Sequence, residues 1–166
     1  MGERLTRQDV RKIEDEIRYR TTVVQQEALE SLKEARAQGD LSENFEYKAA
    51  KQFKGQNESR VRYLENVLKH ATIISDNSKS DEAGLNDIVE VWFEEDEELE
   101  TYKLVTSIRG ASTDNKVSIE SPLGKALLRH HVGDRIQVNL ENGSNFYVEI
   151  RSITKNDDEN EEIRRY

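Results

Sequence analysis

Small, apolar or weakly polar residues recur along the first half of the chain in steps of three and four. Val10, Ile13, Ile17, Thr21, Val24, Ala28, Leu32 and Ala35 form one series; Tyr47, Ala50, Phe53, Asn57, Val61, Leu64, Leu68 and Ala71 form a second. This spacing is the seam of an amphipathic helix, not the alternation of a strand. In an antiparallel helix pair, facing positions have numbers that add to a constant. Pairing Ala35 with Tyr47, Leu32 with Ala50, and so on down to Val10 with Ala71 keeps that total within one residue and sets the fold axis at Asp40-Leu41. The pattern therefore predicts a two-helix hairpin over residues 1–75, each arm about 33 residues long and on the order of 50 Å in reach at about 1.5 Å per residue. Asn57 and Thr21 near mid-seam weaken packing locally and can fix register.

Local signals agree with the hairpin. Thr6 is a helix N-cap, with Asp9 three residues on completing a variant of the capping box. At the turn, Gly39-Asp40-Leu41-Ser42-Glu43-Asn44, Gly39 can close the first helix in a left-handed conformation. Asp40 or Ser42 can cap the first free N–H groups of the second. The second helix is expected to end near Ile74, ahead of a polar linker over residues 76–84.

Beyond the linker the period changes from helical to alternating. Strands are predicted over Ile88–Phe93, Glu100–Ile108, Lys116–Ile119, Arg135–Leu140 and Asn145–Ile153, rich in β-branched and aromatic residues. Glu94–Glu98 and Glu141–Ser144 read as hairpin connections, and Ser121-Pro122 opens one short helix that covers an antiparallel sheet. The fold class is thus α+β: a helical hairpin, a linker, a β domain over residues 85–155 and a charged tail over 156–166.

Composition narrows the function. The chain has 166 residues, 34% hydrophobic and 36% charged, and no cysteine, which excludes disulfides and thiolate metal sites. No run of about 18 apolar residues and no signal-peptide centre occurs, so a cytoplasmic protein with no membrane partner is expected; a monomer is expected as well. Residues 1 to 75 carry 14 Lys or Arg against 13 Asp or Glu, whereas the rest carries 11 against 21. An acidic second half argues against independent, tight binding to duplex DNA and favours a protein partner with basic surface. No nucleotide-binding, metalloprotease or hydrolase motif is present, and His70, His130 and His131 have no ligand or triad partner at a recognisable spacing.

The candidate chemistry is at the turn. Asp40 and Glu43 offer hard oxygen ligands suited to Mg²⁺ but leave most of an octahedral shell unfilled, so as a self-contained metal site the pair is poor. Presented to a partner that already holds one Mg²⁺ and a phosphodiester, it can help place a second ion and orient an attacking water. The bland alternative is that the pair only caps a helix. Arg36, Lys48, Lys51 and Lys54 surround the turn, where they can hold a polyanion or merely keep the surface wet.

Two stretches carry a more specific signal. Residues 34–50, Glu34-Ala35-Arg36-Ala37-Gln38-Gly39-Asp40-Leu41-Ser42-Glu43-Asn44-Phe45-Glu46-Tyr47-Lys48-Ala49-Ala50, resemble the tip signature of the bacterial transcript cleavage factors of the GreA/GreB family. Residues 118–128 with Gly133-Asp134 resemble the signature of that family's C-terminal domain. The resemblance implies a coiled coil that enters the secondary channel of bacterial RNA polymerase, and an FKBP-like domain that holds the channel rim. It implies that Asp40 and Glu43 share an Mg²⁺ with polymerase, with no cofactor of the chain's own, so that polymerase hydrolyses the 3′ end of its backtracked RNA. It further implies tip-support roles for Ser42, Asn44 and Tyr47, RNA or polymerase contacts for Arg36 and Lys51, and rim docking for Ser121 and Pro122. The chain would then be no enzyme itself but a stimulator of polymerase's own cleavage. Phe45 stands where the family often has a small residue, and Val105–Ser112 replaces its usual acidic turn before the third strand. Open alternatives are a channel regulator that competes with cleavage factors without stimulating cleavage, an adaptor unrelated to polymerase, and, on fold analogy alone, a prolyl isomerase.

Overall fold

The computed structural model describes residues 2–38, 44–110 and 115–164. The chain divides into two compact units: one is built on Val10–Ala71, the other joins Glu3–Asp9 to the chain from Thr72 onward.

The first unit is a helical hairpin. Its first arm is helical from Arg7 to Ala37, in three pieces: α1 (Arg7–Tyr19), a π-helical segment (Arg20–Val24) and α2 (Gln25–Ala37). The second arm is α3 (Phe45–His70). Contacts advance along one arm as they retreat along the other, from Ala35–Asn44 through Gln25–Glu58 to Glu16–Arg60, so the arms are antiparallel. Ile13, Val24, Ala28, Ala35, Ala50 and Leu64 are buried in the seam as their spacing requires. Thr21 and Phe53, placed in the seam by sequence, are exposed instead. The π segment accounts for Thr21. Thr21 lies inside that segment, while Ile13 before it and Ala28 and Ala35 after it keep the phase read from the sequence. Thr21 and Thr22 turn their hydroxyls back onto the carbonyls of Ile17 and Arg18, at 2.9 and 2.6 Å.

Charge is also turned inward at this level. Arg60, buried on α3, donates to both oxygens of Glu16 at 2.8 and 3.3 Å, and Arg20 donates to the same carboxylate at 2.8 Å. Asn57 bridges the arms: its amide donates to the Arg20 carbonyl at 3.0 Å and to Gln25 Oε1 at 3.3 Å, while its oxygen accepts from Arg20 at 3.2 Å. Burial alone would raise the Glu16 pKa, but the hydrogen bonds and charges of Arg60 and Arg20 outweigh it and hold the carboxyl below its usual value. A polar belt therefore crosses the middle of an otherwise apolar seam and fixes its register.

In the second unit, β1 (Arg4–Leu5) pairs in parallel with β2 (Thr72–Ile73), which stops the second helix at His70, short of the expected Ile74. The capping box forms as read: Thr6 N–H donates to Asp9 Oδ2 at 2.9 Å and Asp9 N–H to Thr6 Oγ1 at 3.1 Å. A five-stranded sheet follows, built from β3 (Ile88–Phe93), β4 (Glu98–Val105), β5 (Lys116–Ser118), β6 (Arg135–Asn139) and β7 (Asn145–Thr154), in the order β5-β4-β3-β7-β6. Three pairings are antiparallel; at one edge β5 runs parallel to β4, which the intervening ten-residue connection permits and a tight hairpin would not. Alternate residues Val89, Val91, Ile136, Val138, Val148 and Ile150 face one core, closed by Leu127 of the short helix α4 (Pro122–Leu127). Burying each such side chain contributes roughly 1.5–3 kcal/mol.

Two stretches differ from the sequence reading. The second strand ends at Val105, and Thr106–Arg109 turns so that Arg109 is fully buried. Residues 156–164, read as part of a charged tail, supply its counter-charge. Arg109 Nη1 donates to Glu161 Oε2 and Asn86 Oδ1, both at 2.8 Å, while Nε donates to Thr106 Oγ1 at 3.0 Å and lies 2.7 Å from Asp9 Oδ1. Thr106 in turn donates to Asp9 Oδ2 at 2.8 Å, and Lys103 bonds the other oxygen of Glu161. The buried charges are matched, which is the condition under which such a cluster is tolerated. Among the described residues no helix is long and apolar enough to cross a membrane.

Candidate functional site

Asn44 organises the start of α3. Its side-chain oxygen accepts from the Tyr47 N–H at 3.0 Å, and its amide donates to the Ala35 carbonyl at 2.7 Å, tying the start of one arm to the end of the other. The cap assigned by sequence to Asp40 or Ser42 is thus supplied by Asn44. Asp40, Ser42 and Glu43 themselves lie outside the described residues.

Around this cap the side chains are aromatic and basic. The Arg36 guanidinium, on α2, stands 5.6 Å from the centre of the Tyr47 ring. A hydrogen bond from Arg36, aided by the positive charges of Arg36 and Lys51, holds the Tyr47 hydroxyl below the usual tyrosine range despite slight burial. One turn from the helix start, Lys48 Nζ lies 5.7 Å from the centre of the Phe45 ring, within cation–π range. Lys51 is exposed, whereas Lys54 is spent on Glu58 at 2.7 Å. The structure therefore brings Arg36, Asn44, Tyr47 and Lys51 to one end of the hairpin and adds Phe45 and Lys48 to them. Sequence reasoning had marked Phe45 only as a departure and Lys48 only as one of several basic residues; their separation of three on a helix was the available signal.

In the other unit, Ser121 caps α4: its hydroxyl accepts from Gly124 N–H at 3.1 Å and donates to the Ser118 carbonyl at 2.7 Å. Pro122 follows in the first helical turn, where its missing N–H costs nothing. Gly124 is required here, because a Cβ on it would stand 1.9 Å from the Ser118 carbonyl oxygen.

A helical hairpin bearing a basic and aromatic end, and a mixed sheet with a Ser-Pro-capped helix, define a two-unit α+β protein. Comparison with known proteins gives its family. The N-terminal domain of the transcription elongation factors GreA and GreB matches residues 3–73, and their C-terminal domain matches residues 77–155. The chain is 39% identical over 150 residues to "Transcription elongation factor GreA" of Macrococcus caseolyticus (strain JCSC5402), covering 90% of this chain and 95% of that protein. It is 38% identical over 154 residues to GreA of Prosthecochloris aestuarii (strain DSM 271 / SK 413), covering 91% and 96%. Among solved structures, GreA factor homolog 1 (Gfh1) of Thermus thermophilus aligns over 93% of this chain and all of that one, at 27% identity and a TM-score of 0.43. The chain belongs to the GreA/GreB family of transcription elongation factors.

Proposed function

We propose that this elongation factor binds bacterial RNA polymerase, enters its secondary channel with the helical hairpin, and stimulates hydrolysis of the extruded 3′ RNA in backtracked complexes. The observation that carries the reading is the match of both family domains, over residues 3–73 and 77–155, together with an intact Asp40-Leu41-Ser42-Glu43-Asn44 motif in the sequence. Asp40 and Glu43 would contribute oxygen ligands to an Mg²⁺ held jointly with polymerase, where such an ion stabilises charge on the reacting phosphodiester. Asn44 holds the two arms together beside the motif. Arg36 and Lys51 supply positive charge for RNA or for polymerase, Tyr47 is held in place by Arg36, and the Ser121-Pro122 start of α4 is presented to the channel rim.

The test is transcript shortening in purified, stalled polymerase on addition of this protein and Mg²⁺. The wild-type chain should shorten the RNA, and Asp40→Ala with Glu43→Ala should abolish shortening while leaving polymerase binding intact. Equal cleavage by that double variant would remove the tip mechanism. Binding without shortening at any Mg²⁺ concentration would make the chain a competitor for the channel instead.

A further inference from the structure

We infer that Phe45, backed by Lys48, is a stacking platform for an unpaired RNA base, and so sets which transcript ends the factor acts on most readily; this rests on the reading just given. Among the described residues Phe45 is the most exposed large apolar side chain, with 79% of its surface open to solvent. It contributes nothing to the hairpin seam, so packing does not explain it. As the first residue of α3 it follows directly on the capping Asn44. Helical side chains lean toward the helix N-terminus, so the ring is directed to the end of the arm that carries the Asp40–Glu43 motif in sequence.

What surrounds the ring selects its occupant. Lys48 Nζ lies 5.7 Å from the ring centre, and the neighbouring pair repeats the pattern, with Arg36 at 5.6 Å from Tyr47. An exposed aromatic ring flanked by cations is the arrangement by which proteins hold single-stranded nucleic acid: every base has a face to stack, and the cation meets the phosphate beside it. An apolar protein surface would be served by the ring alone and would pay to desolvate Lys48 and Arg36. A duplex offers no free base face. The unpaired end of an extruded transcript supplies both a base and a phosphate.

The experiment uses the full chain and stalled polymerase complexes backtracked by a defined register, with either a purine or a pyrimidine at the RNA 3′ terminus. The concentration of factor giving half-maximal shortening is measured for wild type, Phe45→Ala, Phe45→Leu and Phe45→Trp. Wild type and Phe45→Trp should need less factor on the purine end. Phe45→Ala and Phe45→Leu should both lose that preference and need about five- to tenfold more factor, at the lower end of what truncating a base-stacking aromatic costs. A 2-aminopurine at the 3′ end reads stacking without cleavage: its fluorescence should be quenched by wild type and not by Phe45→Leu. Phe45→Leu behaving as wild type in both measurements would overturn the platform, as would weakened binding of Phe45→Ala to polymerase without RNA, which would place the ring against protein. Quenching without shortening would leave the platform standing and defeat the cleavage reading instead.

Discussion

Replacing Arg109 with Met tests whether the buried charge cluster holds the β unit together. Met approximates the aliphatic part of the side chain, so the substitution removes the guanidinium while creating little cavity. The fully buried Asp9 then loses the positive charge 2.7 Å away, keeping only the Thr6 N–H and Thr106 hydroxyl as donors. Glu161 loses its bond from Nη1 but retains Lys103. Removing one partner of a buried pair costs about 3–5 kcal/mol, and because Asp9 stays hydrogen-bonded and Glu161 stays paired, the lower end, about 3 kcal/mol, applies. For a domain of this size that lowers the melting temperature by roughly 10–15 °C. Circular dichroism melts at neutral pH measure it. Asp9→Asn on the Arg109→Met background should recover about 1–2 kcal/mol, because it discharges the orphaned carboxylate and can still accept from Thr6. A loss under 1 kcal/mol for Arg109→Met, or strict additivity in the double variant, would show that the cluster is bystander polarity and refute the account.

Two further outcomes follow from the same reasoning. Glu16 has its folded pKa lowered by Arg60 and Arg20 against the effect of burial, so its ion pair stabilises the hairpin above the unfolded value near 4.5 and is lost as pH falls through the lower folded one. Glu16→Gln should therefore cost about 2 kcal/mol at pH 7, where Arg60 loses its bond to Glu16, and progressively less as pH falls below 4.5; urea melts along that range check this, and a deficit that does not change with pH would sink it. Gly124→Ala drives a Cβ toward the Ser118 carbonyl and must lift α4, which should cost about 2 kcal/mol and weaken polymerase binding while helical circular dichroism signal persists; unchanged binding affinity would detach Ser121-Pro122 from docking.

The parts of the fold legible in sequence are those whose burial follows a short period. The strands appear where β-branched residues cluster, as in Ile88–Phe93, and α4 where Ser precedes Pro. On α3 the seam is readable in part: Ala50, Asn57 and Leu64 are buried as their spacing predicts, but Arg60 and Val67 are buried where the spacing predicts Val61 and Leu68, which are only half-buried. Arg60 has no place in the apolar series, because a charged residue enters such a seam only when a partner is visible. Its partner is on the other arm, across a π segment that apolar spacing does not encode. Arg109 and Glu161 escaped for the same reason, since Asp9 and Glu161 stand far from Arg109 in sequence and meet it only once the sheet has formed. The pairing of Arg4-Leu5 with Thr72-Ile73 is too short to leave a period at all.

For the candidate site, the cap bears on one of the two readings that spacing left open. An acidic residue at a helix start with Glu three positions later is ordinarily explained by capping, and Asp40 with Glu43 fits that description. Here α3 begins at Phe45 and its N-cap is Asn44, which fills the role with its own side chain and binds the opposite arm with the same amide. Both acids precede this cap in the chain, so capping α3 does not account for them. In sequence they stand between Arg36 and Lys48, the setting that the proposed sharing of a metal with polymerase would require of them.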